Sequence, residues 1–397
     1  MRLLLVGLTA ISLPTVVGAS RVGASRHAGL HRIQRSLKGS KGDGRGDQGI
    51  TGAIDGAGIT DGNKSKEQGK RKGSDAPKCI GTVVISNGKD GTLSIVEANL
   101  GGSMKTIEVP WDTSTMKAPV LVDVEAVNGV IYVSDSANDR VVAFNSASHE
   151  VIAIIPTGSS PTELTSDARG SQLWVANAMD NTIIVIDLAF NVPIRSIEAF
   201  DPEGVLDFGN NIVNDVLLSP SGDAGYATYT GDGGLLVRYN SNGNIEAYTT
   251  EIGNEARLSA SFRFNCLYSP STSSNALEIL YNQDLTNEGF ADIDSPYDAV
   301  SSVDGRYIYI SSTTNNAIRT FDVANNVLLD DVVATSIQKP FKMAHTGDRL
   351  FVAHGESDQI SVFSVSNSYP IPVEIANVNV GQNPIGIYYV APTALCA

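Results

Sequence analysis

From Thr82 onward, apolar and polar residues alternate in short runs, and the runs recur. The stretch from Leu173, LWVANAMDNTIIVIDLAFNVPIRSI, sets two β-branched runs around a polar Met-Asp-Asn knot and follows them with a third. Alternation over four to six positions marks a half-buried strand, and Asp-Asn tolerates the positive φ that a tight hairpin needs. The same strand–turn–strand–turn–strand pattern returns from Thr82, Ile131, Tyr307 and Leu350, more loosely from Tyr226 and least clearly from Leu277. The clearest starts, Ile131 to Leu173 and Tyr307 to Leu350, lie 42 and 43 residues apart. That is the length of a four-stranded propeller blade.

Between the triplets lie PTELTSDARGS, NDVLLSPSGDA, PYDAVSSVDGR and PFKMAHTGD, each a short strand followed by a Gly-bearing turn. These predict the innermost strands. With PVLVDVEAVNG, the FRFNCLYS run and NPIGIYYV, they give seven inner strands against seven triplets. The expected fold is therefore all-β, a β-propeller of seven four-stranded blades, with six as the alternative. The Thr82 triplet has no inner strand before it, and the strand at Asn383–Val390 has no triplet after it. Pairing the two closes the ring and buries two open edges.

Trp174-Val175-Ala176-Asn177, Asn181-Thr182 and Val185-Ile186-Asp187 resemble the YVTN-type repeat of surface-layer and YncE-like seven-bladed propellers. Ile131-Tyr132-Val133-Ser134 with Asp135, and Phe321-Asp322, match it more weakly. The resemblance runs from about Thr82 to Pro392 and is strongest in blades two, three, six and seven. It implies a fold and no chemistry, because the matched residues are turn formers and core positions. The broad group it resembles includes lactonases, a streptogramin lyase and redox enzymes as well as cell-surface binding proteins, so fold alone decides no activity.

The composition changes before the repeats begin. Residues 1–20, MRLLLVGLTAISLPTVVGAS, combine one Arg, an apolar run and small closing residues, the form of a secretory signal peptide. No later run is apolar for long enough to span a bilayer. Residues 21–78 are rich in Gly, Ser, Lys and Arg and hold no aromatic residue, so a disordered basic tail or propeptide is expected there. That segment has 13 basic and 6 acidic residues, whereas 14 basic and 37 acidic residues follow from Cys79 onward. The expected organisation is signal peptide 1–20, tail 21–78 and propeller 79–397, in an exported protein at the cell surface or in the extracellular matrix. The tail offers Arg32-Ile-Gln-Arg35 and Lys70-Arg71-Lys72 as processing sites, Asn63 as a glycosylation acceptor and Arg45-Gly-Asp47 as an integrin-type tripeptide. It would solvate the acidic domain or anchor it to an anionic wall polymer.

The predicted closure leaves a cut in the first blade with a cysteine on each side, Cys79 three residues before Thr82 and Cys396 six after Val390. A Cys79–Cys396 disulfide is expected to lock the ring. Cys266, inside FRFNCLY, is then expected to be a buried free thiol.

Recognisable chemistry is sparse. The chain has no Cys-x-x-Cys-His haem site, no Gly-x-Ser-x-Gly elbow and no Walker loop. Its five histidines include His27 and His31 in the tail, His149 in a turn and His345 and His354 on neighbouring strands, and they suggest no metal site. One constellation remains: Asp123, Glu163, Asp215, Asp298 and Lys342 fall at comparable places near the starts of predicted inner strands. In a propeller those places ring one mouth of the axial channel. The ring could hold a divalent cation such as calcium, or a cationic ligand, or its charges could simply keep the channel wet. The leading expectation is a secreted, non-enzymatic binding or scaffold module with a protein or polysaccharide ligand and no nucleic-acid partner. The alternative is a propeller enzyme of lactonase or lyase type with its site at the channel mouth; a wall or matrix component is the third reading.

Overall fold

The computed structural model describes residues 81–392 apart from 101–103, 111–113, 115, 202–203, 205, 232, 262–264, 330–331, 334–336 and 367. The signal segment, the tail with Asn63, Cys79 and Cys396 lie outside the described residues. Seven antiparallel sheets form seven blades. Blade one runs Pro384–Val390, Thr82–Asn87, Thr92–Glu97, Lys105–Glu108 from the axis outward. The last strand therefore completes the first blade, as the pattern predicts, with Thr82 opposite Val390. The two chain ends leave the blade side by side, and the Cys79–Cys396 bridge stays a proposal that this pairing favours.

The other inner strands are Leu121–Val127, Pro161–Ser166, Ile212–Leu218, Ser259–Ser261, Pro296–Ser301 and Pro340–His345, for blades two to seven. Blade six has its outer edge in two pieces, Val327–Leu328 and Val332–Val333. Blade five departs from the expected assignment. Its inner strand is the short Ser259–Ser261, and the FRFNCLYS run supplies the second strand, Cys266–Ser271. Cys266 is half-buried, not buried, and is a thiol in no disulfide; burial and Glu288 push that thiol up to about 11. Among the described residues no helix is long and apolar enough to cross a membrane.

The alternation builds seven small cores, one at each blade interface, in place of one central core. Trp174 and Val185 of blade three meet Val216, Tyr229 and Tyr239 of blade four, for example, and Val83 and Ile85 of blade one meet Phe351 and Val362 of blade seven. Each blade buries one face against the blade before it and the other against the blade after it, which is why second and third strands read as nearly continuous apolar runs. At the interface of blades three and four the fit requires Gly225. A Cβ there would lie 2.4 Å from the Trp174 ring.

Polar residues at two recurrent places tie the blades together. The last residue of the second strand is buried and polar in six blades: Asn87, Asp135, Asn177, Ser271, Ser312 and His354. Its side chain bonds within its own blade or to the connector leading in, as Asn87 Nδ2 does to Ser94 Oγ (2.9 Å) and Ser312 Oγ to Asp294 O (2.6 Å). The hairpin residue that follows then reaches the next blade. Asp139, Asn181, Asn275 and Asn316 have φ of 49° to 56°. Their Oδ1 atoms accept from the N–H of Ser160, Val213, Ser295 and Lys339 at 2.7–2.9 Å. The Asp-Asn turn signature is thus a hairpin and a latch between blades at once.

Candidate active site

Where an inner strand starts, its pairing slips by one residue. The slip occurs between Leu121 and Val124, Pro161 and Leu164, Val213 and Asp215, Pro296 and Ala299, and Pro340 and Met343. A bulge re-aims side chains, and here it carries Asp123, Glu163, Asp215, Asp298 and Lys342. The predicted ring is real in part. Lys342 Nζ lies 2.8 Å from Asp123 Oδ1 and also pairs with Glu163 Oε2, so one ammonium from blade seven joins carboxylates of blades two and three. Asp215 and Asp298 do not join that ion pair. Each aspartate instead spends one oxygen on structure: Asp123, Asp215 and Asp298 accept from the backbone N–H of Leu164, Leu258 and Met343, in the next blade, at 2.8–3.0 Å. Among the described residues no group of three or more His, Cys, Asp or Glu is placed to hold a metal ion. A divalent cation on this ring stays a proposal, with the Lys342 ammonium as its competitor.

The sequence reading missed Arg257. Blade five lacks the bulge, because Ala256 bridges Ser271 and the chain reaches Leu258 one residue sooner. Arg257 Nη1 pairs with Glu163 Oε1, Nη2 donates to Tyr297 Oη at 2.8 Å, and the guanidinium lies 4.4 Å from the centre of the Tyr297 ring. Tyr297 in turn faces Phe341 with centroids 4.7 Å apart. Lys339 Nζ, at the rim, sits 5.8 Å from the Phe341 ring and pairs with Glu356 at 2.9 Å. Blades five, six and seven so present a cation and two partly exposed aromatic rings beside the carboxylates. A signal for Arg257 was available: Arg257-Leu258-Ser259 aligns with Glu163-Leu164-Thr165 and Lys342-Met343-Ala344, a charged residue before an apolar one.

Crowding and burial separate the protonation states. Burial would raise Glu163, but Lys342 and Arg257 outweigh it and hold its carboxyl down. Lys342 and Arg257 are raised despite burial, by Asp123 and Glu163 in the first case and by Tyr297, Glu163 and Asp215 in the second. Burial raises Asp215 to about 7, with Glu163 adding to it. Burial raises Asp298 to about 6, opposed chiefly by Lys342. Asp298 is the least buried of the four carboxylates and has one oxygen beyond the bond from Met343. Further along the blade-two strand, Glu125 accepts from Ser166 Oγ (3.1 Å) and meets Tyr388; burial lifts it to about 8.

The histidines stand apart. His345 ends the blade-seven inner strand, stacked on Tyr309 at 5.4 Å, and burial lowers it to about 4. His354 is fully buried at the second-strand end, with Nε2 2.7 Å from Ser361 Oγ. His149 is the turn residue expected, with φ 62° and Lys105 Nζ 2.6 Å from its Nδ1.

Comparison with known proteins adds the following. Residues 261–382, under a third of the chain, match the family model described as a lactonase seven-bladed β-propeller. This stretch includes Tyr297, Asp298, Phe341 and Lys342. No curated protein matches the chain. Among solved structures, a periplasmic gluconolactonase of Pseudomonas aeruginosa is 17% identical, covers 79% of this chain and 100% of its own, and superposes with a TM-score of 0.61. A proposed 6-phosphogluconolactonase from Bacteroides fragilis is 17% identical over 80% of this chain and 99% of its own, with a TM-score of 0.62. A hydrazine synthase chain from Kuenenia stuttgartiensis is 13% identical over 71% and 92%, with a TM-score of 0.58. At such identities the likeness establishes the seven-bladed fold alone. The YVTN-type family is not what the family comparison returns.

Proposed function

We propose that this protein is a hydrolase of the lactonase type, opening a lactone ring at the mouth of the axial channel. The observation that carries the reading is Asp298: a partly exposed carboxylate fixed by the Met343 N–H and lifted to about 6 by burial, next in the chain to Tyr297, whose ring lies under the Arg257 guanidinium and faces Phe341. A base with that affinity is ionised at neutral pH yet still takes up a proton readily. Asp298 would remove a proton from water as the water oxygen attacks the lactone carbonyl. The ring C–O bond then breaks, the departing alkoxide takes the proton, and a hydroxy acid results. Arg257 has five N–H donors, of which the bonds to Glu163 and Tyr297 use two, so a donor remains for the oxyanion. Tyr297 and Phe341 would give the lactone ring a flat apolar wall.

The lactonase match over blades five to seven and the printed activities of two structural relatives favour this reading. The non-enzymatic scaffold expected first has no such support. The YVTN-type resemblance of blade three remains compatible with both readings. Export, expected from residues 1–20, belongs to this proposal: the substrate would be met outside the cell.

The test is hydrolysis of neutral five- and six-membered aldonolactones, followed by acid release at constant pH. Wild type should show kcat/KM that rises with pH and levels off above about pH 6, where Asp298 is ionised. Asp298→Asn should lose about 10²–10⁴-fold in kcat. Rates equal to the uncatalysed reaction for every lactone would overturn the reading.

A further inference from the structure

We infer that the channel mouth selects uncharged lactones and rejects phosphorylated ones. The ground is the balance of charge among the inner strands. Four carboxyl groups face two cations, Lys342 and Arg257: Glu163 and Asp298 are ionised at neutral pH, and Asp123 and Asp215, each lifted to about 7 by burial, are partly so. Both cations are engaged: Lys342 lies between Asp123 and Glu163, and Arg257 pairs with Glu163 and bonds to Tyr297. Among the described inner-strand residues no cation is left over for a phosphate, which carries up to two negative charges and is normally met by unpaired Arg or Lys. At the rim, Lys339 is exposed and paired with Glu356. The field of the whole domain points the same way, with 37 acidic against 14 basic residues from Cys79 onward. The N–H donors that Arg257 does not spend on Glu163 and Tyr297 suffice for a developing oxyanion; with the guanidinium charge already paired to Glu163 they do not neutralise a phosphate dianion. The same excess of negative charge drives the hydroxy-acid anion out once the ring has opened, so entry of a neutral substrate and exit of an anionic product are both favoured.

In its kinetic form this inference rests on the lactonase reading; in its binding form it does not. Glucono-δ-lactone and its 6-phosphate differ only by the phosphate, and kcat/KM should be at least about 100-fold lower for the phosphate ester. Equal or faster turnover of the ester overturns the inference and leaves the lactonase reading standing. If no lactone is turned over, that reading falls and calorimetry with glucitol and glucitol 6-phosphate decides the charge selection alone. Wild type should show no heat with the phosphate at millimolar concentration. Glu163→Gln, which releases Arg257 and half-releases Lys342, should gain phosphate binding of at least about tenfold. Asp123→Asn, which releases Lys342 alone, gives a smaller gain and serves if the first variant fails to fold. Tighter binding of the phosphate than of glucitol by wild type, or no gain in a folded variant, sinks the inference.

Discussion

Two sets of buried or half-buried polar residues repeat around this ring, and they differ in kind. One set ends the second strands: Asn87, Asp135, Asn177, Ser271, Ser312 and His354. The other starts the inner strands: Asp123, Glu163, Asp215, Arg257, Asp298 and Lys342. Members of the first set make their side-chain hydrogen bonds within their own blade and the connector that enters it, with Asn87 Oδ1 and Asn177 Oδ1 left unpartnered, and none is open to the channel. In the second set Lys342 and Arg257 reach across the axis to carboxylates of blades far away in sequence, as Lys342 does to Glu163, while Asp123, Asp215 and Asp298 also bond the backbone of the next blade. Their side chains do not repeat in charge, and their protonation is pulled apart by their neighbours. A position that repeats in place and in bonding holds the fold together. A position that repeats in place while its chemistry varies is where a site can be built.

The comparison is broken most directly by removing the cation that pairs with Asp135 of the first set and, separately, one cation of the second. Arg140 Nε pairs with Asp135 at 2.8 Å, and both side chains are almost wholly buried. Arg140→Met leaves the Asp135 charge without its cation and should cost about 3–5 kcal/mol in urea unfolding. Arg257→Met should cost clearly less, because Glu163 keeps Lys342, yet should lower kcat/KM for a lactone far more than Arg140→Met does among molecules that fold. Equal stability losses, or equal activity losses, would erase the distinction between the sets.

The pH dependence of stability sharpens it. Burial raises Asp123, Asp215, Asp298 and Glu125 to about 7, 7, 6 and 8. A raised carboxyl binds its proton more tightly in the folded state, so its contribution is fully present below the unfolded value near 4 and is lost as pH rises through 6–8. Glu163 is held down, so its contribution is present above about 4.5 and lost only in strong acid. Stability should therefore peak near pH 4–5 and fall toward pH 8, while activity rises as Asp298 ionises. Asp215→Asn should flatten part of the decline. A flat profile in wild type would mean that the channel carboxylates are not desolvated.

These two sets also account for what the sequence made legible. Seven blades, the closing strand and the latch turns could be read because each rests on local alternation and on Asn or Asp at positive φ, repeated at a 42–43-residue spacing. Five of the six ring residues could be placed for the same reason. Arg257 was hidden because blade five drops the bulge and its inner strand shrinks to three residues, so the longer FRFNCLYS run took its place in the pattern. What the ring does was not legible. Its pairing crosses the axis, and Lys342 meets Glu163 across 179 positions of chain that carry no local trace of the contact. The contact of Tyr297 with Phe341 was equally out of reach, since an aromatic residue at a strand start reads as core until its neighbours are known.

The smallest expected effect tests the most tempting exception. His354 Nε2 lies 2.7 Å from Ser361 Oγ, which donates to Asn377 Oδ1 at 2.7 Å, and such a chain has the outline of a nucleophile with its base. Its setting argues otherwise. His354 and Ser361 are fully buried, so no substrate reaches the hydroxyl. Burial lowers His354 to about 4, which leaves it neutral at pH 7 but a poor base. Its position is that of Asn87 and Asn177, where an amide does the same bonding to the third strand. His354→Asn should therefore cost about 1 kcal/mol or less through a thinner hydrogen-bond network, and kcat/KM for a lactone should stay within about twofold of wild type. Thermal unfolding and lactone kinetics on the one variant decide it. A tenfold loss of activity with the melting temperature unchanged would move His354 out of the second-strand set and into the site.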